Sequence, residues 1–140
     1  MLLAAFSERI AVSDKQIREW VRARVVLPAK GTGGKGHPYE YDDANLLAGA
    51  VAARLLELHV VLKHYDGAFA ELHEKLRARS SLEWSRLGLE ITAKSADLLE
   101  PGEGFGAATV SIRLDLSPLC TNLALNDQQQ SLAFGLRAVR

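Results

Sequence analysis

Four of the six residues in Gly31-Thr-Gly-Gly-Lys-Gly36 are glycine. No other stretch of the chain is as flexible. Glycine reaches backbone conformations closed to other residues and weakens any helix or strand it interrupts. This stretch therefore belongs to a turn between ordered elements, and its flanks narrow the choice. On one side Pro28 stops a helical pattern. On the other, His37-Pro-Tyr-Glu-Tyr41 is a short aromatic segment suited to an edge strand. Residues 26 to 41 are expected to form a small hairpin with a glycine-rich tip.

The pattern before the hairpin is helical. Leu2, Leu3, Phe6 and Ile10 fall on one face of a helix over Leu2 to Ala11. Ser13, with Gln16 three residues later, makes a capping-box pattern that starts a second helix over about Asp14 to Arg24. Ile17, Trp20 and Val21 form its apolar stripe. Lys15, Arg18, Glu19 and Arg22 lie outside that stripe. After the hairpin, Asp42 or Asp43 caps an alanine- and leucine-rich helix over about Ala44 to His59. Tyr65, Phe69, Leu72 and Leu76 then give the stripe of a helix over about Leu62 to Arg79.

From Ser80 the texture changes. Leu87 to Ala93 has strand-forming residues in partial alternation, and Pro101 to Gly106 reads as a turn or loop. Ala108 to Leu116 alternates clearly, with Val110, Ile112, Leu114 and Leu116 on one face. Ser117-Pro118 is expected to close that strand, and a weakly helical tail to end at Arg140. The expected fold class is mainly α (α+β). Residues 1–79 form one domain with its connecting helix, and 80–140 a small α/β appendage.

Composition sets the class and excludes much chemistry. The chain has 140 residues, 48% of them hydrophobic and 24% charged, as in folded globular domains. No apolar run is long enough for a membrane span. The early charges Glu8 and Arg9 argue against a signal peptide, so a cytoplasmic location is expected. The single Cys120 rules out an intramolecular disulfide and gives no support to structural zinc. A phosphate-binding loop from Gly31 to Gly36 fails, because His37 and Pro38 stand where Lys and Ser/Thr are required. His73-Glu74 lacks the second histidine of a zinc-protease motif, and His37, His59 and His64 have no metal-ligand spacing. No nucleophile motif is present. The expectation is a protein that is not an enzyme and carries no cofactor or metal.

The charge is distributed unevenly. The 17 basic and 17 acidic residues cancel over the whole chain. Residues 1–35, however, hold seven basic residues against three acidic ones, a net of +4. Residues 36–65 and 66–140 each carry −2. A cationic end is the arrangement expected where a protein meets a polyanion. A second helix with a polar, cationic outer face can enter a major groove. A glycine-rich tip flanked by Lys30 and Lys35 lets the backbone approach phosphates.

The order of helix, tight turn, cationic helix, hairpin and helix is that of a winged helix-turn-helix. Its residues carry a family resemblance: Ala11-Val12-Ser13, Ile17-Arg18-Glu19-Trp20, Val25-Val26-Leu27-Pro28, Tyr39-Glu40-Tyr41, Asp42-Asp43 and Leu55 to Leu62. In this order and spacing, residues 2–72 resemble the DNA-binding domain of the MerR family of transcriptional regulators. Where the family pattern has glycine, this chain has Ala11, then Arg24 or Val25, then His59. Pro38 or Tyr39 stands in place of the wing arginine, and the family's metal-sensing cysteines are absent.

The resemblance implies a homodimer on a pseudo-palindromic site in double-stranded DNA, and a nucleoid-associated location. No long heptad pattern follows Arg79, so dimerisation would use the appendage, with the Val110 to Leu116 strand as candidate. The candidate DNA-contacting residues are Lys15, Gln16, Arg18, Glu19, Arg22, Lys30, Lys35, His37, Tyr39 and Tyr41. For several of them a structural role competes. Gln16 caps its own helix, Arg18 and Arg22 pair with Asp14 or Glu19, and the two tyrosines pack the wing. Two other functions stay open: a protein-interaction module on the same scaffold, and an architectural or recombination accessory factor. Any small-molecule effector is unidentified.

Overall fold

The computed structural model describes residues 1–104 and 110–125. The expected tail to Arg140, the start of the 108–116 strand and part of the 101–106 loop lie outside the described residues. The chain is α+β: five α-helices and one three-stranded antiparallel sheet among the described residues.

Helix α1 (Leu3–Ile10) and helix α2 (Asp14–Arg22) are joined by three residues. Ser13 opens α2, its Oγ accepting the Gln16 N–H at 3.2 Å, which satisfies one otherwise orphaned donor of the first turn. The reciprocal bond from the Gln16 side chain is not made. Helix α3 (Asp43–Glu57) begins with the complete reciprocal box, between Asp42 and Asn45. Helix α4 (Asp66–Arg77) is shorter than the expected 62–79 helix, because Leu62–Tyr65 forms a separate 3-10 turn.

The hairpin expected over 26–41 is present, but the edge strand at 37–41 is not. Only two isolated bridges pair the arms, Lys30 with Glu40 and Gly34 with His37. Pro38 has no N–H to extend the ladder. Two glycines are required here by contact as well as by conformation. Gly31 has φ +91°, and a Cβ there would lie 2.1 Å from the Pro38 carbonyl oxygen. Gly33 has φ +79°, and a Cβ would lie 2.5 Å from the Tyr39 ring.

The C-terminal part departs further from expectation. Strands β1 (Gly88–Ile91), β2 (Ala96–Leu99) and β3 (Ile112–Asp115) form a sheet in the order β2-β1-β3. The second of these is a strand without a clear pattern in the sequence. Ser117 and Pro118 do not close a strand; they lie in the first turn of helix α5 (Leu116–Asn122). Asp115 caps that helix by accepting the Ser117 N–H at 3.0 Å. Proline is tolerated in a first turn, where its missing N–H would have no intrahelical partner.

One apolar cluster runs through both halves of the chain. It takes in Phe6, Ile17, Trp20, Leu47, Phe69, Trp84, Leu89 and Leu116. Helix α4 packs on β2, where the Lys75 Nζ donates to the Ala96 carbonyl at 2.6 Å and pairs with Asp97 at 2.7 Å. Arg9 of α1 donates to the Leu123 carbonyl, tying the first helix to the end of α5.

Candidate nucleic-acid interface

Helix α2 has two unlike faces. Ile17 and Trp20 are buried, whereas Lys15, Arg18, Glu19 and Arg22 are exposed. Spacings of three and four residues put those four side chains on one face. Gln16 stands at the boundary, half-buried. On the hairpin, Lys30, Lys35 and His37 are exposed and Tyr39 is half-buried. The His37 carbonyl accepts the Thr32 and Gly33 N–H groups, and its own N–H donates to the Gly34 carbonyl at 3.0 Å. These bonds close the tip and leave Lys35 at its apex.

Helix and hairpin enclose a cleft of about 530 Å³. Arg18 and Asp14 line it from α2, Gly33, Pro38, Tyr39 and Tyr41 from the hairpin, and Leu2 to Ala4 from the start of α1. The fold thus brings Arg18, Tyr39 and Tyr41 together. Tyr41 takes a mainly structural position: it is 4% exposed, and its ring lies 4.5 Å from that of Phe6. Burial raises its hydroxyl pKa, so it stays a neutral phenol. Asp14 is a cleft residue absent from the candidates drawn from sequence. Its signal is the i, i+4 spacing from Arg18 on the polar face.

Electrostatics sets this face apart. Five cations elsewhere have acidic partners. Arg54 pairs with Glu57, Lys75 with Glu71 and Asp97, Arg77 with Asp42, and Arg79 and Arg86 with Glu100. Among the described residues, Lys15, Arg18, Arg22, Lys30 and Lys35 make no ion pair. Arg9, Arg24, Lys63 and Lys94 make none either; what distinguishes α2 and the hairpin is that five such cations fall on them. The competing idea that Arg18 and Arg22 pair with Asp14 or Glu19 therefore has no geometric support.

The base of the hairpin is held by side chains distant in sequence. The Leu27 N–H donates to His73 Nε2 at 3.3 Å. The Leu27 carbonyl accepts from Asn45 Nδ2 at 2.7 Å and from Arg77 Nη2 at 2.8 Å. His73 Nδ1 faces the Phe69 carbonyl at 2.7 Å, which assigns the proton to Nδ1 and leaves Nε2 as acceptor. Burial pushes the His73 pKa down to about 4, so the ring is neutral near pH 7. Burial alone would raise the Asp42 carboxyl. The Arg77 guanidinium and the Asn45 N–H outweigh it and hold the group below its ordinary value.

Among the described residues, no three His, Cys, Asp or Glu side chains cluster to hold a metal. No helix among them is long and apolar enough to cross a membrane. No protein-family profile matches the chain, and no curated protein matches it either.

Proposed function

We propose that this chain is a sequence-specific DNA-binding transcriptional regulator that acts as a homodimer, with residues 1–79 forming a MerR-like winged helix-turn-helix domain. In this reading α2 enters the major groove, and the glycine-rich hairpin is the wing that lies on neighbouring phosphates. One observation carries the reading. The family pattern has glycine where this chain has Ala11, Arg24 (or Val25) and His59. Ala11, Arg24 and His59 have φ of 54°, 62° and 60°. Non-glycine residues rarely adopt this left-handed conformation. The chain thus bends at the positions of the family's glycines without the residue that most easily makes such bends. The set of cations without acidic partners on α2 and the hairpin adds an electrostatic reason.

A stability test follows from the same three positions. Ala11→Gly, Arg24→Gly and His59→Gly are each expected to stabilise the fold by about 0.5–1 kcal/mol. Relief of left-handed strain exceeds the entropic cost of glycine in the unfolded chain. Urea denaturation reads this directly, and a loss of stability at all three would remove the structural support for the resemblance.

The functional test is selection of bound sequences from a random pool of duplex DNA. A single short dyad motif is expected, since a two-fold dimer reads two like half-sites. Binding should also fall steeply with salt. For 6–10 phosphate contacts the loss between 50 and 200 mM is on the order of 10³- to 10⁵-fold. A pool that returns no enriched motif, with salt-insensitive retention, would sink the proposal.

A further inference from the structure

We propose that two copies of this chain associate by antiparallel pairing of their β3 strands, centred on Leu114, to make one continuous six-stranded sheet. The inference builds on the homodimer reading above and gives it a surface and a register.

The ladder shows which strand has an edge that no other strand pairs among the described residues. The Leu116 N–H donates to the Leu87 carbonyl at 3.2 Å, and the Thr92 N–H to the Ser95 carbonyl at 2.9 Å. With the register Leu89 to Leu114 and Leu89 to Leu98, these bonds fix the alternation along β1. Leu114 and Ile112 direct their backbone groups toward β1. Arg113 and Asp115 direct theirs away from it, to an edge that no other described strand pairs. The opposite edge of the sheet is β2, which α4 covers through Lys75. A sheet edge unpaired in this way among the described residues is a template for another strand.

Charge selects the occupant and the register. A two-fold axis at Leu114 sets Arg113 of one copy opposite Asp115 of the other, twice. Both pairs then fall at hydrogen-bonded positions, where the Asp115 N–H of each copy can donate to the Arg113 carbonyl of the other; the Asp115 carbonyl is already taken by the first turn of α5. Leu114 meets its own counterpart at a non-hydrogen-bonded position, where side chains approach closest. An axis at Arg113 would oppose two guanidinium groups, and one at Asp115 two carboxylates. Like charges directly opposite each other are destabilising. Arg113 lies across from Glu90 on β1, and a guanidinium with five donors can serve both carboxylates. Val110, at 81% exposure just before the strand, is the most exposed large apolar residue described, which agrees with an interface at this end of the sheet. Such a contact is isologous, as a closed two-fold dimer requires.

The test uses the full chain without DNA. Leu114→Cys should cross-link under mild oxidation, because facing non-hydrogen-bonded positions suit disulfide geometry. The expected result is a band at twice the 15.3 kDa chain mass on a non-reducing gel, lost on adding reductant. Unmodified chain, whose Cys120 is buried, provides the baseline, and sedimentation equilibrium on it should give the dimer mass at micromolar concentration. Ile112→Cys tests the competing axis at Ile112 and should not cross-link. Cross-linking through Ile112 instead, or a monomer with no cross-link, would overturn the proposal. A chain that dimerises through Leu114 yet retains no DNA would keep this inference and remove the DNA reading. A monomer that shifts a DNA site would do the reverse.

Discussion

Arg18→Ala is expected to weaken binding to the selected DNA site by about 5- to 150-fold, the range for losing a side chain that reads a base edge. The fold should survive, because exposed positions away from caps and cores change stability by less than about 0.5 kcal/mol. Arg18 is singled out by position. It is exposed on the polar face of α2, it makes no ion pair among the described residues, and it lines the cleft where helix and hairpin meet. Lys15→Ala provides the contrast: a phosphate contact should cost less and should lower affinity evenly across sequences. Electrophoretic shift on the selected site and on a scrambled one separates the two. Unchanged affinity in Arg18→Ala would show that α2 is not the reading helix.

Acid should loosen the base of the hairpin before it unfolds the exposed surface. His73 is 1% exposed, and its pKa falls from 6.5 to about 4 on folding. Between those values the unfolded chain holds the proton that the folded chain refuses. Stability therefore rises with pH across that window and is lost as pH drops from about 6.5 to about 4, by about 3 kcal/mol. The Leu27 N–H is the group abandoned, because a protonated ring has no acceptor at Nε2. Asp42 acts in the same direction at lower pH. Its carboxylate is favoured by folding, so its contribution holds above the ordinary 3.8 and fades as pH falls through the lowered value. Urea titrations at a series of pH values measure the slope. His73→Gln keeps an acceptor for Leu27 and cannot titrate, so it should flatten the slope between about pH 4 and 6.5. An unaltered slope would mean the proton goes elsewhere.

Much of the candidate site is legible in the sequence, because its signals are local. The polar face of α2 follows from the positions of Ile17 and Trp20, and its start from Ser13. The glycine tip is plain from composition. The parts that sequence leaves out have partners too distant to see. Tyr41 reads as either wing packing or a phosphate contact until Phe6, 35 residues earlier, is found against its ring. His73 looks like one of four scattered histidines until Leu27, 46 residues away, is found bonded to it. Asp14 enters the sequence reading only as a partner for Arg18 or Arg22, and its place in the cleft depends on the hairpin across from it.

The sequence by itself determined α1 to α4 and the starts of α2 and α3, since these rest on contacts between residues at most four or so apart; the hairpin was marked by its glycines and prolines, though its pairing and its base use more distant partners. Apolar periodicity placed α1 to α4 within a few residues, apart from the 3-10 turn ahead of α4. Only the tertiary structure decided the rest. Ala96 to Leu99 is a strand because β1 offers a ladder and α4 a covering face; its own residues carry little strand pattern. Pro118 lies in a helix because Asp115 caps it and the core accepts Leu116 and Leu119. Ala11, Arg24 and His59, by contrast, take left-handed backbone through local closure of helix ends, the Val12, Val25 and Val60 N–H groups donating to the Ser7, Trp20 and Leu55 carbonyls; what the tertiary structure adds there is the burial of Val25 in the core.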